Sequence, residues 1–402
     1  MSAPQAMRER VVVFGDSGGI QQVIKLMSRG AIPAMVGAGI RPEQWGALER
    51  LAARHEVRLL VQPKRSAPAY PRFVDEVRAL DPDLILVNSY SMRLGAELLN
   101  VPRLGCVNVH GGLLPEYRGS NPIQWALLND ETETGVTIHY MTEEFDQGDI
   151  IARRMVPICF RDTWLDIRAR LEEATEALLR VELPRIVSGT SARWPQDESR
   201  ARYYRRRSPE DGRIEWHRAV RDLYNLIRAL VKPHPGAFYD SASQRVVLDR
   251  YLSIDEVAAL KYGSAGGQLL RGTDVVLRPA PNPARAGRDR SHERVEFSIR
   301  SGVTDEELGT GEIRNIDFAK SIGEVRIRSK DGGPRCWTAV APLAEFAMND
   351  LRLARLRCRA GKDEGPLLDG LARAGFARDE VPESDGTAMD GGMTVMSRRT
   401  AE

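Results

Sequence analysis

Val11-Val12-Val13-Phe14 is an apolar run that stops at Gly15-Asp16-Ser17-Gly18-Gly19, and Ile20, Val23, Ile24 and Met27 follow at helical spacing. A strand, a glycine-rich turn and an amphipathic helix in that order make one β–α unit. The pattern repeats outward. Ala34-Met35-Val36 reads as a second strand. Trp45, Leu48, Leu51 and Ala52 share one helical face, and Val57-Arg58-Leu59-Leu60-Val61 reads as a third strand. Phe73, Val77 and Leu80 mark another helix, Asp81-Pro82-Asp83 breaks it, and Leu84-Ile85-Leu86-Val87 is apolar at every position. A strand without polar alternation is buried on both faces. The expected fold is therefore α/β: a Rossmann-like, mostly parallel sheet with helices on both faces. Leu104-Gly105-Cys106-Val107-Asn108-Val109 supplies a further strand. The Gly-Asp-Ser-Gly-Gly run is familiar from trypsin-like proteases, but no His or Asp precedes it to complete that order of catalytic residues. Nor is it G-x-G-x-x-G, so it reads as a turn between the first strand and helix.

Farther along, Thr163 is a candidate N-cap for a long helix with Ile167, Leu171, Ala174 and Leu178 on one face, expected to end at Pro184. Residues 189–210 are rich in Ser, Arg, Pro and Gln. A helix through Val220, Leu223, Leu226, Ile227 and Leu230 leads to Pro233-His234-Pro235-Gly236, and short β-like runs with glycine breaks follow. Such runs predict a smaller β-rich, barrel-like domain. The expected organisation is a catalytic domain over 8–190, a linker over 191–204, a β-rich C-terminal domain over 205–357 and a partly disordered tail over 358–402. A basic, proline-rich loop is expected over 279–293.

The chain has 402 residues, room for two or three domains at roughly 100–200 residues each. Lys+Arg is 58 and Asp+Glu is 56, a net charge of +2, which argues against a polybasic nucleic-acid glove. Over 205–357 the counts are 27 against 21, a thin net of +6. Cys106, Cys159, Cys336 and Cys358 are scattered and form no Cys-x-x-Cys pair, so neither a zinc ribbon nor a disulfide framework is expected. No apolar stretch approaches the roughly 18–20 residues that span a bilayer, so no membrane partner is expected. No export signal is read in the first ten residues, and a reducing cytoplasm is the expected home.

Asn108 and His110 alternate at the carboxyl end of a strand, so their side chains share a face. Ligands of open α/β sheets bind beyond those strand ends. Asp146 lies in Asp146-Gln147-Gly148-Asp149, after the strand Gly135-Val136-Thr137-Ile138-His139-Tyr140, and Gly148 permits a tight turn there. A carboxylate reaching the imidazole would orient it and raise its basicity. His139 is read as structural and Asp149 as a turn residue.

Asn108-x-His110, then Leu113-Leu114-Pro115 with Arg118-Gly119, then Gly135-Val136-Thr137 and Asp146-x-Gly148-Asp149, resemble the folate-dependent formyltransferase family in order and spacing. Arg206-Arg207-x-Pro209-Glu210-Asp211-Gly212-x-Ile214-x-Trp216 and Pro233-x-Pro235-Gly236-Ala237-Phe238 resemble the start of the C-terminal domain in its amino-sugar and tRNA members. The resemblance implies 10-formyltetrahydrofolate as co-substrate, and no metal. It implies that Asn108 donates to a tetrahedral oxyanion, that His110 stabilises the oxyanion and shuttles a proton, and that Asp146 holds His110. Met92, Arg93, Leu94, Leu114, Pro115 and the stretch Thr142, Glu143, Glu144, Phe145, Asp146 would bind the folate. Arg118, Gly119 and Ser120 would face the acceptor. The implied acceptor is a small-molecule amine, first a nucleotide-linked amino sugar. Methionyl initiator tRNA comes second and a hydroxyornithine-type amine third. Hydrolysis of formyl-folate, or folate binding alone, is the non-transferring alternative. A homodimer is a further expectation.

Overall fold

A computed structural model describes residues 9–27, 31–241, 244–264, 270–271, 275–280, 293–330, 334–361, 365–378 and 393–400. The chain divides into two compact units, Met1–Ser208 and Pro209–Glu402. The first unit holds β1 (Val11–Gly15), α1 (Ser17–Ile24), β2 (Ala34–Ala38), α2 (Trp45–His55), β3 (Arg58–Gln62), α3 (Tyr70–Ala79) and β4 (Leu84–Asn88). There follow α4 (Ala96–Leu99), β5 (Cys106–His110), β6 (Arg118–Gly119), α5 (Pro122–Leu128), β7 (Glu133–Tyr140), β8 (Ile150–Pro157), α6 (Trp164–Val187) and β9 (Tyr203–Tyr204).

Its main sheet runs in the order β3-β2-β1-β4-β5-β7-β8. The pairs from β3 to β5 are parallel; β7 and β8 are added antiparallel. Val11, Val12, Val13 and Phe14 of β1 and Leu84, Ile85 and Leu86 of β4 have no exposed surface. Apolar residues at consecutive positions need cover on both faces, which explains why these strands lack alternation. One face packs on α3 through Phe73, Val74 and Val77, and on α4 and the stretch before it through Leu98 and Leu94. The glycine-rich turn after β1 is a helix cap. Asp16 accepts a hydrogen bond from the Gly19 amide at 2.7 Å and so starts α1.

Thr163 caps α6 reciprocally with Asp166. The helix continues through Pro184 to Val187, past the stop expected there. The stretch read as a linker, 191–204, is held to the first unit. Ile150 and Trp194 exchange backbone hydrogen bonds of 2.8 and 3.1 Å, and β9 pairs parallel with β6.

The second unit contains α7 (Val220–Ala229), β10 (Ala237–Asp240), β11 (Arg245–Leu248), α8 (Ile254–Ala259), β12 (Leu270–Arg271), β13 (Val275–Pro279) and β14 (Glu293–Ser301). It continues with β15 (Glu307–Asp317), β16 (Ile322–Ser329), α9 (Val340–Glu345), β17 (Arg355–Gly361), α10 (Gly365–Arg373), β18 (Ala377–Arg378) and β19 (Met393–Arg399). β10 and β11 form a hairpin. The other eight strands form one mostly antiparallel sheet in the order β12-β13-β14-β15-β16-β17-β19-β18. This is the β-rich C-terminal part expected from the sequence; among the described residues no pairing joins β12 to β18. The expected start of a tail at 358 is corrected. Cys358 sits inside β17, which pairs with β16 and β19, and both Leu356 and Cys358 are buried. Period-two alternation in Arg355-Leu356-Arg357-Cys358-Arg359 carries that signal. Most of the expected 279–293 loop and the stretch 379–392 lie outside the described residues. Among the described residues no helix is long and apolar enough to cross a membrane.

Candidate active site

Asn108 and His110 stand two residues apart at the carboxyl end of β5 and face the same way. β7 runs antiparallel beside β5 with His139 opposite Asn108 in register. The loop from β7 to β8 then returns Asp146 to this point. Asp146 adopts φ 56°, in the left-handed region that Asp tolerates better than most residues. Gly148 lies so close to β7 that a Cβ would fall 1.9 Å from the Tyr140 carbonyl oxygen, so the turn admits only glycine.

These residues converge. Asp146 Oδ1 lies 3.6 Å from His110 Nδ1 and 3.6 Å from His139 Nε2, placing one carboxylate between two imidazoles. Its Oδ2 accepts the Gly119 amide at 2.8 Å. His110 Nε2 lies 2.7 Å from the Tyr117 carbonyl, so that nitrogen carries a proton and Nδ1 faces Asp146. The Asn108 amide is 3.1 Å from His139 Nε2, and His139 Nδ1 is 2.8 Å from the Tyr140 carbonyl. His110 and His139 are 6 % and 1 % exposed, so water screens this cluster poorly. Burial pushes the Asp146 carboxyl up. The charge of His110, a hydrogen bond and charge from His139, and the Gly119 amide outweigh it and hold the group well below the usual carboxylate range.

The loop from 111 to 120 is braced from several sides. Thr137 Oγ1 donates to the Gly112 carbonyl at 2.8 Å and accepts the Leu114 amide at 3.1 Å. Leu114 precedes a cis Pro115, and both are buried. Arg118, expected to face the acceptor, is 4 % exposed. Its guanidinium forks onto Glu198 at 2.9 and 2.6 Å and donates to Gln196 at 3.0 Å. Gln196 in turn donates to the Asp146 and Gly148 carbonyls at 2.7 and 2.8 Å. Arg118 thus holds the Asp146 loop from behind, and its charge is already paired. Gly119 supplies its amide to Asp146, and Ser120 donates its backbone amide to the Tyr204 carbonyl at 3.0 Å.

Arg93 links the two segments expected to bind folate. Its guanidinium donates to the Glu143 carbonyl, reaches Glu144 at 3.5 Å and lies 5.4 Å from the centre of the Phe145 ring. Gln62 fixes the Arg93 carbonyl at 3.1 Å, Met92 is half-buried and Leu94 is buried. Thr142 donates to the Glu144 carbonyl at 3.1 Å. A cavity of about 660 Å³ opens beside the start of β5. It is lined by Ala96, Leu99, Cys106, Met141, Thr142 and Glu143 among others, but not by Asn108, His110 or Asp146. Asp149 pairs with Arg193 at 2.6 Å, as suits a turn residue. Sequence reading set His139 aside; the register of β7 on β5 brings it into the cluster. The available signal was Thr137 and His139, two polar residues on one face of the run Gly135–Tyr140. Among the described residues no group of three His, Cys, Asp or Glu is placed to hold a metal ion.

An imidazole and a side-chain amide at the carboxyl edge of a mostly parallel sheet are groups that can supply acid–base and oxyanion chemistry. Residues 8–182 match the formyl transferase family and residues 206–270 match the formyl transferase C-terminal domain. The chain belongs to the formyl transferase family and is an N-formyltransferase. Its fold is similar to a sugar N-formyltransferase from Shewanella sp FDAARGOS_354, at 20% identity and TM-score 0.52, over 61% of this chain and 99% of that one. It is also similar to a 4-N formyltransferase from Francisella tularensis, at 19% identity and TM-score 0.50, over 61% of this chain and 98% of that one.

Proposed function

We propose that this chain transfers the formyl group of 10-formyltetrahydrofolate to the amino group of a nucleotide-linked amino sugar. The observation that carries the chemistry is the Asp146 carboxylate held between His110 and His139 beside the Asn108 amide. Attack of the amine on the formyl carbon forms a C–N bond and a tetrahedral oxyanion. The Asn108 side-chain amide and a protonated His110 are the groups fitted to that oxygen. His110 gives its proton to the departing folate nitrogen as the bond from that nitrogen to carbon breaks, and takes up the proton lost by the amine, which returns the ring to its starting form. Asp146 faces one ring nitrogen of His110 and the Tyr117 carbonyl holds the other, so the ring is fixed between them. Met92 to Leu94 and Thr142 to Asp146, joined through Arg93, are the segments we assign to the folate.

The acceptor reading rests on the block at 206–238 and on Arg202 and Arg206. Both arginines are exposed, on the segment that pairs with the 118–120 loop, where a diphosphate would find guanidinium groups. The test is a panel of nucleotide-linked amino sugars, methionyl initiator tRNA and hydroxyornithine, with formylated product read by mass spectrometry and tetrahydrofolate release read in parallel. Formylation of a nucleotide-linked sugar supports the reading. Release without any amine identifies a hydrolase, and formylation of the tRNA alone replaces the proposed acceptor.

A further inference from the structure

Gln62 ends β3, an outer strand of the main sheet, yet its side chain serves a loop that follows β4. It is 1 % exposed. Its Nε2 donates to the Arg93 carbonyl at 3.1 Å, and its Oε1 accepts from the Tyr90 hydroxyl at 2.8 Å. A carbonyl oxygen can only accept, so the amide nitrogen must face Arg93. The Tyr90 hydroxyl must then be the donor at the other end. One buried amide thus ties residues 90 and 93 together with both of its polar ends used.

That stretch has little else to fix it. It belongs to no helix or strand, and among the described residues no backbone group of 90–94 bonds to another backbone group. A segment without such a ladder depends on side chains for its shape. Tyr90 meets Phe14 of β1 edge-on, with ring centres 5.4 Å apart, which steers the chain back over the sheet toward β3. Arg93 carries the constraint onward. Gln62 holds its carbonyl, while its guanidinium donates to the Glu143 carbonyl and lies 5.4 Å from the centre of the Phe145 ring. Both segments assigned to the folate therefore trace back to one side chain on a distant strand.

We propose that Gln62 is a positioning residue for the formyl donor. It sets the shape of 90–93, and through Arg93 the place of 143–145, without itself touching the donor. The inference rests on the assignment of Met92 to Leu94 and Thr142 to Asp146 to the folate.

The experiment compares wild type with Gln62→Leu, which removes both hydrogen bonds at similar volume, and Tyr90→Phe, which removes one and keeps the ring on Phe14. Tetrahydrofolate, the spent donor, is titrated into each protein calorimetrically. Steady-state kinetics use 10-formyltetrahydrofolate and an amine from the panel that wild type formylates, and thermal unfolding is run on the same preparations. Gln62→Leu should weaken tetrahydrofolate binding and raise the donor KM about tenfold with the acceptor KM unchanged, and Tyr90→Phe should give about a two- to threefold effect. A lowered Tm with donor affinity unchanged in both variants overturns the inference, because a residue that only fills the core costs stability and leaves the site alone. An equal rise in donor and acceptor KM overturns it as well. If Gln62→Leu does not fold, Tyr90→Phe decides. Weakened donor binding at unchanged acceptor KM supports the inference, and wild-type donor binding overturns it. Absence of tetrahydrofolate binding in wild type overturns the folate assignment, and this inference with it.

Discussion

Asp146 carries the electrostatics of the site because two imidazoles share its one carboxylate. Asp146→Asn keeps the loop's shape and removes the charge. We expect kcat to fall by roughly a hundredfold or more with folate affinity largely kept, read by steady-state kinetics and a donor-binding titration. Unchanged height and shape of the pH–rate profile would reduce Asp146 to a turn residue. The same group links pH to stability. Its folded value lies below its unfolded value, so it contributes stability above pH of about 4, lost as pH falls through the lowered folded value. Denaturant unfolding across that range should show the difference between wild type and Asp146→Asn shrinking on acidification. His139 touches two other members of the cluster, the Asn108 amide at 3.1 Å and Asp146 at 3.6 Å. His139→Ala should cost about tenfold to a hundredfold in kcat, read by steady-state kinetics beside thermal unfolding. Loss of Tm with kcat unchanged would make His139 only a core residue.

The short pairing of β6 with β9 is the element on which the site's geometry depends. Gly119 has φ 97°, and a Cβ there would fall 2.2 Å from the Tyr204 carbonyl oxygen. Gly119→Ala is thus excluded twice, by backbone conformation and by the neighbouring strand. The paired strand must move away, and the amide that holds Asp146 moves with it. We expect activity to fall by at least tenfold and Tm to drop by several degrees, on the scale of roughly 1–3 kcal/mol for strain at a special φ. Kinetics and thermal unfolding of the same preparation check this. Wild-type activity would show that the Asp146 contact with Gly119 is dispensable. The same pairing explains why 191–204 could not be read as part of the first unit. Its composition is that of a connector, while Gln196, Glu198, Tyr203 and Tyr204 are recruited one at a time by partners far along the chain.

At the scale of the whole molecule, charge bears on the acceptor. Among the described residues of the second unit several arginines are interleaved with acids. Arg314 pairs with Glu324 at 3.0 Å, and Arg278 and Arg300 meet Asp305 at 3.1 and 3.0 Å. Compensated charge of this kind gives little long-range attraction for a polyphosphate chain. A nucleotide-linked sugar brings at most two phosphates, so its apparent affinity should weaken only gently between low and moderate salt. A tRNA neutralised at several phosphates would lose orders of magnitude. Formyl transfer to both acceptor classes at two ionic strengths decides the matter. Efficient, steeply salt-sensitive turnover of tRNA with none of any sugar would replace the proposed acceptor.

The alternating apolar runs of residues 11–109 determined the parallel sheet, because a strand covered on both faces can afford no polar alternation. Asn108, His110 and Asp146 were equally legible, since their order and spacing are local facts of the chain. Three things were decided only by the fold. His139 joined the site because β7 pairs with β5 in a register that sets it opposite Asn108. Arg118 left the acceptor's side because Glu198 and Gln196 claim its guanidinium. The strand at 355–361 proved part of a sheet because β16 and β19 supply its partners. Each depends on which distant segments share backbone hydrogen bonds. A shift of one residue in that pairing turns every side chain to the other face, and no local pattern in the chain states the register.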